Sequence, residues 1–207
     1  VTWDILNMVG TIAFALSGVF VAMEEDYDLM GIYILGFVTA FGGGAIRNLL
    51  IGVPVTALWE QGSLFFIAFI IMTFAFLLPS FLFETWMKWG LLFDAAGLGS
   101  FAVQGAIFAA EMDLPLSAAI AAAALTGTGG GMIRDVLAGR KPIFLRNEIY
   151  IAWTMLAGIS VGTGWIQSMP GYLLVLGMIV VCRMLSVHYG WRLPKSRWHQ
   201  IKKEDRS

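Results

Sequence analysis

The sequence predicts an all-α membrane protein: seven transmembrane helices, arranged as an inverted repeat of three plus three with a seventh helix behind. Three observations carry this expectation. Hydrophobic residues fill 58% of the 207 positions and charged residues only 13%, more apolar surface than a soluble domain of this size can hide. The apolar residues fall into runs of about 17–25, the length that crosses a bilayer. One stretch also occurs twice: Gly42-Gly43-Gly44-Ala45-Ile46-Arg47-Asn48-Leu49-Leu50-Ile51-Gly52 returns 87 positions later as Gly129-Gly130-Gly131-Met132-Ile133-Arg134-Asp135-Val136-Leu137-Ala138-Gly139.

Taken in order, span one runs from about Trp3 to Met23 and ends in Glu24-Glu25-Asp26-Tyr27-Asp28. It is expected to be a span and not a cleaved leader, because no basic segment precedes it and it takes part in the repeat. Span two, about Leu29 to Ile51, carries the first triple glycine, and a connector from Gly52 to Gly62 follows with Pro54 as breaker. Span three is the Phe- and Ile-rich run from Ser63 to Phe83, and the link Glu84–Trp89 has the Trp-and-Lys look of a membrane interface. Span four covers about Gly90 to Ala110, and span five, Leu114 to Ala138, carries the second triple glycine. A basic connector, Arg140 to Arg146, leads to span six, about Glu148 to Ile166; after Pro170-Gly171, span seven runs from Tyr172 to Tyr189. Residues 1–190 thus read as one transmembrane domain, with repeat one at about 3–83, repeat two at about 90–166, the seventh helix at about 172–189, and a basic tail at 191–207.

A shift of 87 superposes residues 4–52 on 91–139 without a gap. Gly10 meets Gly97, Phe14 meets Phe101, Gly18 meets Gly105, Glu24 meets Glu111, Asp26 meets Asp113 and Thr39 meets Thr126. Small-residue composition supplies some glycine matches but not the charged pairs in the same register. Three spans per copy is an odd number, so the second copy enters from the opposite face, and an inverted repeat follows. Lys88, Arg140, Lys141, Arg146 and the tail (Arg192, Lys195, Arg197, Lys202, Lys203, Arg206) then share one side, which the positive-inside rule makes the cytoplasm. The N-terminus lies outside and the C-terminus inside, in a multi-pass inner-membrane protein.

The doubled motif is the candidate site. Gly42, Gly43 and Gly44, with Gly129, Gly130 and Gly131, admit two readings: close helix packing, or a kink or unwound turn that exposes backbone to a polar path near the midplane. Arg47 and Arg134 either snorkel to the headgroups or cap a neighbouring helix, or both face a wet path, with Asp135 or the span-four acid Asp94 as candidate partners. Asn48 is neutral where Asp135 is charged, so such a path is asymmetric. Ser17 and Gln104 are equivalent mid-span polar residues that need a partner or water, as do Thr126 and Thr128; Asn7 and Asp94 are likewise equivalent. Gly158 and Gly162 form a G-x-x-x-G packing motif, and Arg183 is expected to snorkel to the cytoplasmic face.

Other chemistries lack their residues. Neither triple glycine continues as a phosphate loop or a dinucleotide fingerprint, and no zinc-protease or nucleophile-elbow motif occurs, so no enzyme, cofactor or metal site is expected. Cys182 is the only cysteine and reads as a packing residue. The basic tail suits a cytoplasmic flank or contact with anionic lipid, and not nucleic acid.

Two G-G-G-x-I-R-[ND]-x-L-x-G segments, each in the second span of a three-span repeat with a seventh span behind, resemble the prokaryotic TRIC (trimeric intracellular cation) channels over about residues 3–190. The resemblance implies a homotrimer with one pore per subunit, potassium as the main permeant ion with modest discrimination against sodium, and a pore lined by spans one, two, four and five. It also implies that spans two and five bend at Gly42–Gly44 and Gly129–Gly131. The basic lipid-binding motif of animal members is not visible here. The same pattern resembles bacterial glycine-transporter-like proteins, which implies the alternative of a secondary transporter for a small solute such as glycine; a membrane scaffold without transport is a third class.

Overall fold

The computed structural model describes residues 2–78, 89–145 and 149–191. Among these, seven α-helices follow one another: α1 (Thr2–Glu24), α2 (Leu29–Ile51), α3 (Gly62–Phe76), α4 (Gly90–Glu111), α5 (Leu116–Leu137), α6 (Ile151–Gly162) and α7 (Met169–His188). Short 3-10 helices, Val55–Gln61 and Ile143–Leu145, precede α3 and α6. Five of the seven α-helices are long and apolar enough to cross a bilayer on their own, and Val55–Phe76 makes a sixth candidate span. The 12 residues of α6 extend only about 18 Å.

Local chemistry sets the helix ends. The Asp28 carboxylate caps α2 by accepting a hydrogen bond from the Gly31 amide at 2.8 Å, and Gly52 ends the helix in the left-handed region, with φ 77°. At the equivalent places of the second copy, Pro115 precedes α5 and Gly139 follows it with φ 69°. Asp26 and Asp113, also 87 apart, both take a positive φ (56° and 54°) in the turns that lead into α2 and α5.

Three expected boundaries move. Span six is shorter than read, because Gly164 adopts φ 75° and turns the chain directly after Thr163. Span seven begins earlier, at Met169, because Pro170 sits in the first turn, where its missing N–H costs nothing. The connector after Gly52 is partly helical, since the 3-10 helix from Val55 runs straight into α3. The end of span three beyond residue 78, residues 84–88 of the interfacial link, Arg146 and the basic tail from Arg192 lie outside the described residues.

Helices α1 and α4 form the centre. Their apolar windows are 78% and 72% buried, against 17% for Val55–Phe76 and 22% for α7. They run antiparallel, joined by ring contacts at three levels: Trp3 with Phe108 at 5.4 Å, Phe14 with Phe101 at 5.3 Å, and Phe20 with Phe93 at 5.8 Å. Phe14 and Phe101 are equivalent residues, and each occupies the space that a glycine leaves on the other helix: Phe101 at Gly10 and Phe14 at Gly97. α2 and α5 flank this pair, while α3, α6 and α7 lie outside. Phe66, Phe69 and Phe74 of α3 and Leu174 and Val181 of α7 point outward, as a bilayer solvent requires. Gly158 and Gly162 let α6 approach α5 at Ile120 and Ala119, so the G-x-x-x-G serves packing within the chain.

Candidate functional site

Both triple-glycine segments stay α-helical throughout, and none of the six glycines has a positive φ. The expected unwound turn is therefore absent; space, not backbone conformation, is what these glycines supply. A Cβ on Gly43 would stand within 3.0 Å of the Thr126 carbonyl oxygen, and one on Gly130 equally close to that of Thr39. Gly43 is equivalent to Gly130, and Thr39 to Thr126, so the contact between α2 and α5 is reciprocal. Gly42 and Gly129 add to it by accommodating Ile133 and Ile46. Gly44 and Gly131 do not: their nearest neighbours are side chains at 3.5 Å or more.

On either side of this crossing lies an arginine with its own polar group. Arg134, 2% exposed, donates to Asp94 Oδ1 at 2.8 Å from Nη1 and to Asp135 Oδ1 at 2.9 Å from Nε. Its Nη1 also donates to Ser17 Oγ. The second oxygens of both carboxylates are used as well: Asp94 Oδ2 accepts from the Tyr150 hydroxyl at 2.9 Å, and Asp135 Oδ2 from the Ile143 amide at 3.0 Å. Three helices, α1, α4 and α5, thus meet at one guanidinium, which carries two carboxylate partners. A cavity of about 210 Å³ lined by Ser17, Asp94, Arg134, Glu24 and Arg140 opens beside it. At its mouth Arg140 pairs with Glu24 at 2.6 Å and with Glu25.

Arg47, 4% exposed, has no carboxylate within ion-pair distance among the described residues. Its Nε and Nη2 both donate to Asn48 Oδ1, at 3.1 and 2.9 Å. Its guanidinium carbon lies 4.5 Å from the Phe108 ring centre and 5.6 Å from that of Trp3. Such cation–π contacts contribute about 0.5–2 kcal/mol, less than the several kcal/mol needed to take a cation out of water. Asn7 and Asn48 are the equivalents of Asp94 and Asp135; Asn48 accepts from Arg47 as Asp135 does from Arg134, while Asn7 donates to Gln61, so the charge is compensated by carboxylates in one copy and by none in the other.

Between these groups run buried hydroxyls and amides. Thr11 Oγ1, Ser100 Oγ, Gln104 Nε2 and Thr126 Oγ1 have no hydrogen-bond partner among the described residues, an arrangement that costs about 1–3 kcal/mol for each group left dry. Gln104 lines a small cavity with Asn7, Gln61 and Arg47. Ser17 and Gln104, equivalent residues, thus each face the arginine of the other copy. Thr128 spends its hydroxyl on the Ala124 carbonyl at 2.7 Å and lies beside Gly131 and Arg134.

The structure brings Arg134, Asp135 and Ser17 into contact and places Gln104 beside Arg47. It adds residues that the motif did not point to. Tyr150 holds Asp94 from the start of α6, and Arg183 is 1% exposed with its guanidinium carbon 4.6 Å from the Tyr150 ring centre. Arg183 therefore does not snorkel; its guanidinium lies over an aromatic face inside the bundle. Trp3, Phe108 and Gln61 complete the Arg47 side, and only the interfacial habit of Trp offered a signal for any of the three.

A seven-helix bundle whose two central helices carry a buried polar seam, with an arginine cluster on each side, is a polytopic membrane protein built around that seam. The family model for glycine transporters matches the chain twice, over residues 4–80 and 91–166, and the chain belongs to this family. Among curated relatives, the UPF0126 membrane protein YvgT of Bacillus subtilis is 58% identical over 93% of this chain and 95% of its own length. The UPF0126 inner membrane protein YadS of Escherichia coli K12 is 33% identical over 94% and 91%. Among solved structures, a TRIC cation channel aligns with a TM-score of 0.81 at 32% identity, covering 95% of this chain and 98% of that one. The trimeric intracellular cation channel orthologue from Rhodobacter sphaeroides aligns at 0.80 and 30%, covering 91% and 98%.

Proposed function

We propose that the protein is a passive, potassium-preferring cation channel with sodium as a secondary permeant ion, one pore per subunit of a homotrimer, and a gate at the glycine-bearing helices α2 and α5. The likeness to TRIC cation channels over nearly the whole chain carries the reading, and the buried polar seam supports a path along it. Ser17, Gln104, Thr126 and Thr128 line it, with Arg47 and Asn48 towards one face and Arg134 and Asp135 towards the other. The antiparallel α1 and α4, the reciprocal Gly43 and Gly130 contacts and the doubled family match support the inverted repeat. No enzymatic step and no cofactor belong to this reading. In the inner membrane the N-terminus faces outward, and the tail from residue 191 is cytoplasmic and contacts anionic lipid. A gate fits the packing: while Arg134 is tied to α1, α4 and α5 the path is narrow, and sliding α2 over α5 at the glycines alters it without breaking either helix.

The family description supports a second reading, a secondary transporter of glycine on the same seam. Purified protein in a planar bilayer separates the two. Unitary currents that reverse near the potassium equilibrium potential support the channel; saturable glycine uptake into liposomes without unitary currents overturns it.

A further inference from the structure

We infer that the cavity beside Arg47 is a binding site for one halide-sized monovalent anion. The cavity is lined by Arg47, Asn7, Gln61, Gln104 and Trp3 among others. Two buried donors on its wall, Arg47 Nη1 and Gln104 Nε2, have no hydrogen-bond partner among the described residues. Asn48 Oδ1 already serves Arg47 Nε and Nη2, and Asn7 Nδ2 donates to Gln61 Oε1 at 3.0 Å. The unpartnered groups are thus donors, next to a full positive charge in a low-dielectric surround, which is the chemistry that selects an anion. The other copy indicates what is missing in charge: Asp94 and Asp135 compensate Arg134, whereas Asn7 and Asn48 cannot compensate Arg47. Size selects the ligand. The centre of a water-sized sphere has about 10 Å³ to move in, room for one sphere somewhat larger than water, which suits a single monatomic anion and not the five heavy atoms of glycine. The inference stands on charge and space, and does not depend on whether the protein conducts.

The test follows thermal unfolding of the purified full chain at constant potassium, with bromide or chloride exchanged against gluconate. Wild type is expected to gain about 2–4 °C, saturably, in halide. Asn48→Asp supplies an internal carboxylate and is expected to lose the halide dependence; Gln104→Met, which removes one donor, is expected to shift half-saturation to higher halide. Diffraction from bromide-grown crystals at the bromine edge is expected to place one anomalous peak at Arg47 Nη1. The inference is overturned if the wild-type gain is absent, if it is equal in Asn48→Asp, or if no anomalous peak lies at Arg47, in which case the cavity holds water.

Discussion

Arg134 Nη1 and Asp94 Oδ1 lie 2.8 Å apart with side chains 2% and 5% exposed, and they tie α5 to α4 next to the hydroxyl of Ser17 on α1. Breaking a buried charged hydrogen bond costs about 1.5–3 kcal/mol, and removing the last partner of a buried charge about 3–5 kcal/mol. Asp94→Asn leaves Asp135 in place and is expected to lower the unfolding midpoint by several degrees. Asp94→Asn with Asp135→Asn strips Arg134 of both carboxylates and is expected to prevent stable folding. Fluorescence-monitored unfolding in detergent checks both; a double variant as stable as wild type would mean that Arg134 needs neither acid.

The glycines of each triplet should not respond alike. Alanine at Gly43 or Gly130 drives a methyl group into a carbonyl of the opposite helix, and backbone cannot step aside as a flexible side chain can. These variants are expected to lose more than about 2 kcal/mol. Gly44→Ala and Gly131→Ala meet only ordinary contacts at 3.5 Å or beyond and are expected to be neutral, or to gain up to about 1 kcal/mol of helix propensity. If all four behave alike, the α2–α5 crossing is not where the glycines act.

Much of this was legible in the sequence because the copies report on one another. The limits of α2 were readable at both ends, since Asp28 is a side-chain cap and Gly52 a left-handed stop. The partners of Arg134 were readable as candidates because the shift of 87 sets Asp94 against Asn7 and Asp135 against Asn48. Choosing between packing and unwinding for the glycines was not possible, because both need a residue without a side chain, and only the position of the opposite carbonyl decides. The roles of Tyr150 and Arg183 stayed hidden for a different reason: the fold brings Tyr150 to Asp94 and α7 brings Arg183 to the Tyr150 ring, both outside the doubled motif. A lone arginine near a span end reads equally well as one that reaches the headgroups.

Topology gives a third expectation. The hydrogen bond from the Tyr27 hydroxyl to the Leu137 carbonyl at 2.7 Å and the Arg140 pairs with Glu24 and Glu25 put the α1–α2 turn and the end of α5 on one face. Contact of Arg47 with Trp3 and Phe108 puts the end of α2 on the other. With Cys182 replaced by serine, single cysteines at Asp26 and Lys141 should react with an impermeant thiol reagent only after the cytoplasmic face is opened. A cysteine at Ser168 should react from outside in intact cells. Labelling of Asp26 and Ser168 from the same face would sink the seven-span arrangement.

Asp135→Asn asks whether the carboxylate acts on permeating charge or only on structure. Asp135 accepts from Arg134 through one oxygen and from the Ile143 amide through the other, and a carboxamide has a single acceptor oxygen to offer two donors. The variant must therefore lose either the Arg134 contact or the Ile143 contact, and about 1.5–3 kcal/mol of stability with it. On the channel reading more follows, because the seam also loses one negative charge while Arg134 keeps only Asp94. Like charges repel strongly in a low-dielectric surround, so cation current is expected to fall severalfold. The reversal potential in a potassium chloride gradient is expected to move towards zero from the cation-selective side. A variant with a lowered unfolding midpoint but an unshifted reversal potential would reduce Asp135 to a cap for the Ile143 turn, and the path would then have to avoid the Arg134 cluster.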